Sequence, residues 1–428
     1  MPNPLVTAAK GKGLRHLLAR VQTITGRYGL TSAKMDLALS TLANTLKRFD
    51  CPATLFVTAV ALARNKAIAR KYHTQGIELA IHGLVHVDHT QLPLEIQLAQ
   101  LRHAQRLFEQ AGIRTSGFRC PYLRSNADTV AALNENGFAY DSSPSLVWDV
   151  TDGLETDTYR RVLDFYGART ASDYPALPCW AGRVVRFPYC LPDDEALVER
   201  LRLPSGPAMS EIWLAILERT YTAGELFTLG LHPERAALCQ AALEATLAKA
   251  RSLLPSVWMA RLDEIDAWWR ALSQTTFDLK SQDNDTFRIA IKAPSNATIL
   301  MRAVQAHTPA QPWMPNYQRV SEAEFTLQSS LRPVIGLSPD SPPALGEFLQ
   351  QQGYLIEISA DAQSFPVYLQ RTSFGLDDQR PLLVQLENRG WPLVRLGRWP
   401  DGAQSALAVT GDIDAFTLWD YGLRAFGN

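Results

Sequence analysis

His82 and His86 stand four residues apart, directly after the apolar run Ile77-Glu78-Leu79-Ala80-Ile81. Imidazoles at that spacing reach one metal ion if the chain turns helically after a strand. Two ordinary loop histidines carry the same spacing. His89, in Val87-Asp88-His89-Thr90, is a third histidine, and its polar setting places it at the surface. Arg119 opens Arg119-Cys120-Pro121-Tyr122, where a guanidinium beside a proline-fixed turn can grip a carboxylate in bidentate fashion. A structural ion pair would read the same. His232, in Leu229-Gly230-Leu231-His232-Pro233, also ends an apolar run. It could hand a proton to a departing amine, or be satisfied by backbone groups at a strand end.

A hydrolytic metal site also wants a carboxylate. The first acidic residue of the chain is Asp36, so no acidic pair precedes the histidines where one would be sought. The best pair lies near the other end, in Thr410-Gly411-Asp412-Ile413-Asp414. A spacing of two on a strand turns both side chains to one face. Converging carboxylates repel unless a cation or donors intervene, so packing explains this pair poorly. One carboxylate and two histidines make a three-ligand site with room for water.

The elements that must bring these residues together are legible as alternating patterns. A helix is expected over 14–24, a second from about Ser32, and a buried strand at Ala53–Val57. Helix over 61–75, strand over 77–81, helix over 93–111, strand over 117–119, helix over 127–136 and strand over 138–140 follow. Leu226–Leu231 is a further buried strand, with helices over 236–253 and 261–269 after it. This alternation implies an α/β fold with a parallel sheet or barrel. Residues 277–395 change character: Phe287–Ile291, Leu355–Ile358 and Leu382–Leu386 read as strands, and proline-rich breaks separate them. Ser405–Thr410 returns to the buried parallel-strand pattern, and 416–426 reads as a short final helix.

The bulk composition excludes some partners. The chain has 428 residues, 46% of them hydrophobic, with 42 basic against 43 acidic side chains. No basic surplus points to nucleic acid or an anionic membrane. No run approaches the roughly 20 apolar residues of a membrane span. The first residues lack a signal-peptide core, and five scattered cysteines without a CxxC fit reduced thiols. A cytoplasmic setting is the expectation; the oligomeric state is open.

Taken together, the His82–His86 pair, Arg119-Cys120-Pro121-Tyr122 and the late Leu229-Gly230-Leu231-His232 resemble the polysaccharide deacetylase (NodB-homology, carbohydrate esterase family four) superfamily. Gly137-Phe138-Ala139-Tyr140-Asp141-Ser142-Ser143 is similar to a segment of its allantoinase-like and exopolysaccharide branches. The resemblance covers roughly residues 27–270. It implies a distorted (β/α) barrel over 1–275, with a mostly β accessory domain over 276–395 inserted before a C-terminal strand and helix, 396–428, that complete the barrel. The missing early acidic pair then means either that the domain has lost its base and one ligand or, as the preferred reading, that the barrel is circularly permuted, with Asp412 and Asp414 standing for an acidic pair that normally ends the first strand. Gly83 departs from the family's Ser or Thr after the first histidine.

By resemblance, Asp414, His82 and His86 bind Zn²⁺ or another divalent ion such as Co²⁺ or Ni²⁺. Asp412 is the general base, although Asp-Ile-Asp leaves open which aspartate is ligand. Arg119 orients Asp412, the backbone N–H of Tyr122 helps hold the oxyanion, and His232 protonates the amine. The implied activity is removal of an acetyl group from an acetamido sugar. An inactive carbohydrate-binding protein and an allantoinase- or deformylase-like hydrolase of a small amide are the alternatives.

Overall fold

The computed structural model describes residues 25–283, 285–314 and 316–422. The helix expected over 14–24 lies outside them, as does the end of the final helix, of which Leu418–Gly422 is described. The centre of the molecule is the strand Ser405–Ile413, buried along its whole length. Its alternating small and branched apolar residues suit a strand covered on both faces. On one side it pairs in parallel with Leu226–Leu231, from Leu226↔Ala406 to Leu231↔Gly411. On the other it pairs in parallel with Ala53–Val57, from Ala53↔Val409 to Val57↔Ile413. Val257–Met259 adds to its first residues, Val257↔Ser405 to Met259↔Leu407.

From Ala53–Val57 the sheet runs on through Glu78–Ile81, Gly117–Phe118 and Tyr140–Asp141. From Leu226–Leu231 it runs the other way through Tyr189–Leu191 to Ser145–Val147. Residues 140–147 thus pair at their start with one flank and at their end with the other. The sheet curls back on itself through the bend between them, giving a distorted (β/α) barrel. Two glycines permit the close approach of its strands. A Cβ at Gly411 would lie 2.5 Å from the Leu231 carbonyl oxygen, and one at Gly230 would lie 2.0 Å from the Tyr189 hydroxyl.

Helices pack outside the strands because their apolar residues fall on one stripe. Leu39, Leu42 and Leu46 of Ala33–Arg48 join Leu55, Leu229 and Val409 in one buried cluster. Each fully buried leucine contributes about 1.5–3 kcal/mol. The helix expected over 61–75 is two, Ala59–Arg64 and Lys66–His73, broken at Asn65. There the Asn65 side chain donates to the Ala61 carbonyl at 2.8 Å and to Asp420 at 2.9 Å, a competing use of the backbone.

Beyond residue 275 lie three smaller sheets. Thr276–Ser281, Thr286–Lys292, Glu324–Gln328 and Gln305–Ala306 form one antiparallel sheet. Ala310–Met314, Tyr317–Val320, Ile299–Arg302 and Leu393–Leu396 form another. The third is parallel: Ile356–Ile358, Ile335–Leu337 and Val367–Leu369, accompanied by the helices Pro343–Gln351 and Leu376–Asn388. Leu382–Leu386, expected as a strand, belongs to the second of these helices. Its Leu382, Leu383 and Leu386 are buried while Val384 is 48% exposed, a helical stripe that five residues alone do not distinguish from a strand. Among the described residues no helix is long and apolar enough to cross a membrane.

Candidate active site

Parallel strands deliver their following residues to one rim. His82 follows Ile81, and its backbone N–H donates to the Val57 carbonyl at 2.9 Å. Arg119 follows Phe118 and donates its N–H to the Ile81 carbonyl at 3.0 Å. His232 follows Leu231, which pairs with Gly411. Asp412 faces Phe56 in register, and the Thr58 hydroxyl donates to the Asp414 carbonyl at 2.9 Å. Register alone therefore brings residues from both ends of the chain to the C-terminal ends of neighbouring strands, where α/β folds place their sites.

The side chains converge there. His86 Nε2 lies 3.3 Å and His82 Nε2 3.6 Å from Asp414 Oδ1, and His82 Nε2 lies 3.9 Å from Asp412 Oδ2. One donor atom each from His82, His86 and Asp414 all fall within 4.8 Å of one another. An ion with bonds of about 2 Å to N and O ligands fits such a triangle. His82 Nδ1 faces the Arg119 carbonyl at 3.0 Å, which sets the ring so that Nε2 points into the site. Burial holds the His82 imidazole below its ordinary pKa against the pull of Asp412 and Asp414, so the ring is the neutral form a cation needs.

Arg119 is fully buried. Its Nη1 donates to Asp412 Oδ1 at 2.8 Å, its Nη2 to Thr410 Oγ1 at 3.0 Å and Ser142 Oγ at 2.8 Å, and its Nε to the Ser142 carbonyl at 3.1 Å. The guanidinium stacks between Phe56 and Tyr189, 4.0 and 4.6 Å from their ring centroids. Asp412 is thus aimed by a cation that cannot swing away.

Residues 37–140, which carry both histidines and Arg119, match the family model for polysaccharide deacetylase. This part of the chain is similar to polysaccharide deacetylases. A peptidoglycan deacetylase-like protein of Gibberella zeae is 42% identical over 71 residues, which span 16% of this chain and 21% of that protein. The match therefore spans about a fifth of that relative's length. Among solved structures, a putative polysaccharide deacetylase from Mycobacterium smegmatis is 24% identical over 57% of this chain and 81% of its own, with a TM-score of 0.43. An allantoinase is 23% identical over 55% and 72%, with a TM-score of 0.44.

The rest of the site holds what the sequence patterns did not reveal. His232 Nδ1 lies 2.9 Å from Asp194 Oδ1, and the His232 backbone N–H donates to Asp194 Oδ2 at 2.8 Å. Burial opposes charge on His232, but Asp194 overrides it and raises the imidazole to about 10. Burial and the charge of Asp194 raise neighbouring Asp193 to about 7. The signal was Leu191-Pro192-Asp193-Asp194-Glu195, an acidic run directly after the strand Tyr189–Leu191.

Tyr122 has φ 59° in its turn, and its ring packs edge-on against His86 with centroids 4.4 Å apart. Together with Phe165, Tyr166 and Tyr189 it walls a cavity of about 240 Å³ that contains His82, His86, His232, Asp412 and Asp414.

His89 is not at the surface. It is fully buried, 5.4 Å from the Phe118 ring, and burial pushes its pKa down to about 4. Its polar neighbours serve the turn instead: Asp88 accepts from the Thr90 N–H at 3.0 Å and from Arg124 at 2.9 Å. Gly83 has φ 78°, and a Cβ there would lie 2.9 Å from the Val85 carbonyl oxygen. The loop is fixed without a hydroxyl, by Ala59 and Val60 N–H groups donating to the Gly83 and Leu84 carbonyls at 3.0 and 3.1 Å.

Proposed function

We propose that this chain is a metal-dependent hydrolase of a linear amide, acting on the acetamido group of a sugar. The observation that carries the reading is the convergence of His82, His86 and Asp414 beside an Arg119-held Asp412. His82, His86 and Asp414 would hold Zn²⁺ or another divalent ion such as Co²⁺ or Ni²⁺. Such an ion supplies Lewis acidity at the amide carbonyl and acidifies water. Asp412 takes a proton from the attacking water, and Arg119 keeps that carboxylate aimed. The backbone N–H of Tyr122 supports the oxyanion. His232, held protonated by Asp194, gives its proton to the nitrogen as the C–N bond breaks, so amide and water leave as carboxylic acid and amine.

Within the same proposal, Ser405–Ile413 is the barrel's displaced first strand, a circular permutation. Its support is the position of that strand between Leu226–Leu231 and Ala53–Val57.

The cavity favours a second reading. At about 240 Å³ it is below the roughly 300–1,000 Å³ usual for a drug-sized ligand, so it suits a single sugar residue or a small amide or ureide.

Metal analysis and a substrate screen test both. Stoichiometric divalent metal is expected, lost in the His82→Ala/Asp414→Ala double variant, with Asp412→Asn retaining metal and losing turnover by about 10²-fold or more. N-acetylated sugars against small amides and ureides separate the two substrate classes. A metal-free protein whose Asp412→Asn form behaves as wild type in every assay would instead support a non-catalytic carbohydrate-binding role.

A further inference from the structure

Far from the rim, at the opposite ends of the barrel strands, a cleft of about 360 Å³ lies between the barrel and the β-rich region. Gly224, Glu225 and Gln404 line it from the barrel side, and Trp313, Tyr317, Arg380, Arg395 and Arg398 from the other. Its charges do not balance. Arg380 pairs with Glu225, while Arg302 and Arg395 share Glu387. Arg398 is 8% exposed, and among the described residues no carboxylate lies within ion-pair distance of it.

Its Nη1 donates to the Ala223 and Gly224 carbonyls at 3.1 and 2.9 Å, which fixes the plane, while its buried Nε makes no hydrogen bond. Three guanidinium groups that line the cleft, Arg380, Arg395 and Arg398, therefore face two carboxylates, Glu225 and Glu387. A buried cation with no carboxylate in direct contact is costly to hold out of water, so such a site favours an added counter-charge. Burial and repulsion from Arg395 lower the Arg398 pKa, and the attraction of Tyr354, Glu387 and Glu225 does not offset them.

The walls add shape to the charge. Trp313 is pinned by its indole N–H donating to the Gly402 carbonyl at 2.8 Å, and its ring meets that of Tyr317 edge-on at 6.3 Å. A held aromatic beside a fork of planar donors suits a ring-shaped molecule carrying an anionic group.

We propose that this cleft binds a small anionic ligand, a sugar-sized molecule bearing a carboxylate or a phosphate, with Arg398 as its counter-charge. The proposal does not rest on the hydrolase reading. Titration of the full-length protein with glucuronate, glucose 6-phosphate, inorganic phosphate and glucose, at constant ionic strength held with chloride, tests it by calorimetry and thermal shift.

Saturable binding of at least one of the two anionic sugars, absent for glucose, is the expected result. Comparison of glucuronate with glucose 6-phosphate tells which anionic group is preferred, and binding of inorganic phosphate alone would reject the sugar-sized ligand. Arg398→Met should weaken binding about tenfold or more. Because that variant also loses two backbone contacts, Val384→Glu is the second probe. Val384 lines the cleft from an exposed helix position, where a glutamate sets a negative charge at the mouth without touching buried structure. It too should weaken binding. No saturable binding of either anionic sugar, or binding unchanged in a folded Val384→Glu protein, would overturn the proposal.

Discussion

At the scale of single residues, the most consequential contact is that between His232 and Asp194. Two strand-following residues from different parts of the chain make it, and neither looks special alone. The imidazole sits at about 10 in the folded protein against 6.5 for the free side chain, because Asp194 outweighs burial. A group raised on folding stabilises fully below its unfolded value, so the pair supports the fold below about pH 6.5 and loses that support as pH climbs through about 10.

The rate should follow the same proton. Asp194→Asn removes the largest raising influence on His232 and leaves Glu234 to oppose burial and Arg235, so the imidazole pKa should fall from about 10. The alkaline limb of kcat should then move down from near pH 10. Coincident pH–rate profiles for wild type and variant would show that His232 is not the proton donor. His82, His86, Arg119, His232, Asp412 and Asp414 could be picked out of the sequence because each stands where a run of apolar residues stops. Asp194 follows such a run too, but Tyr189–Leu191 has only three residues and a proline behind it, too little to read as a strand. His89 misled for the opposite reason: its polar neighbours are committed to a turn, and the ring points inward.

At the scale of elements, the long buried strands were readable, and the short ones only in part. Ala53–Val57 and Leu226–Leu231 span the very residues their apolar patterns mark. Gly117–Phe118 lies within the strand expected over 117–119 and Tyr140–Asp141 overlaps the one expected over 138–140, whereas Ser145–Val147 exists because neighbouring strands impose it, and three residues carry no periodicity of their own. Leu382–Leu386 shows the converse ambiguity, a short apolar run whose environment makes it helix. The Ser405–Ile413 strand depends on a single missing side chain. Gly411→Ala would press a methyl to 2.5 Å from the Leu231 carbonyl oxygen and 2.8 Å from Leu55 Cδ2. Overpacking of this kind costs about 1–3 kcal/mol. A clear fall in Tm is expected, whereas Gly26→Ala, with nothing within 4 Å of its added carbon, should leave Tm unchanged. Equal Tm values for the two variants would mean that the strands relax apart freely.

At the scale of the molecule, the barrel is shared between distant parts of one chain. The β-rich region is tied to it by more than connection: Arg380 donates to the Ala171 and Tyr174 carbonyls at 2.7 and 3.0 Å and pairs with Glu225. A chain truncated before Ser405 would leave Ala53–Val57 and Leu226–Leu231 facing each other across an open gap, with two buried strands exposing their backbone edges. Such a protein should lose its cooperative thermal transition and bind a hydrophobic dye. Retention of both a sharp transition and native-like near-UV circular dichroism would show that the barrel stands without its central strand.

That strand also sets the timing of the molecule's own assembly. Asp414 meets Thr58 across 356 positions of sequence. A ribosome emits residues in order, so the nascent barrel waits with its middle open while the whole β-rich region is synthesised and folds. The base and one proposed metal ligand arrive last, on the element that closes the sheet. On the proposed reading, hydrolytic competence and structural completion coincide, and a chain that stops before Ser405 should have neither.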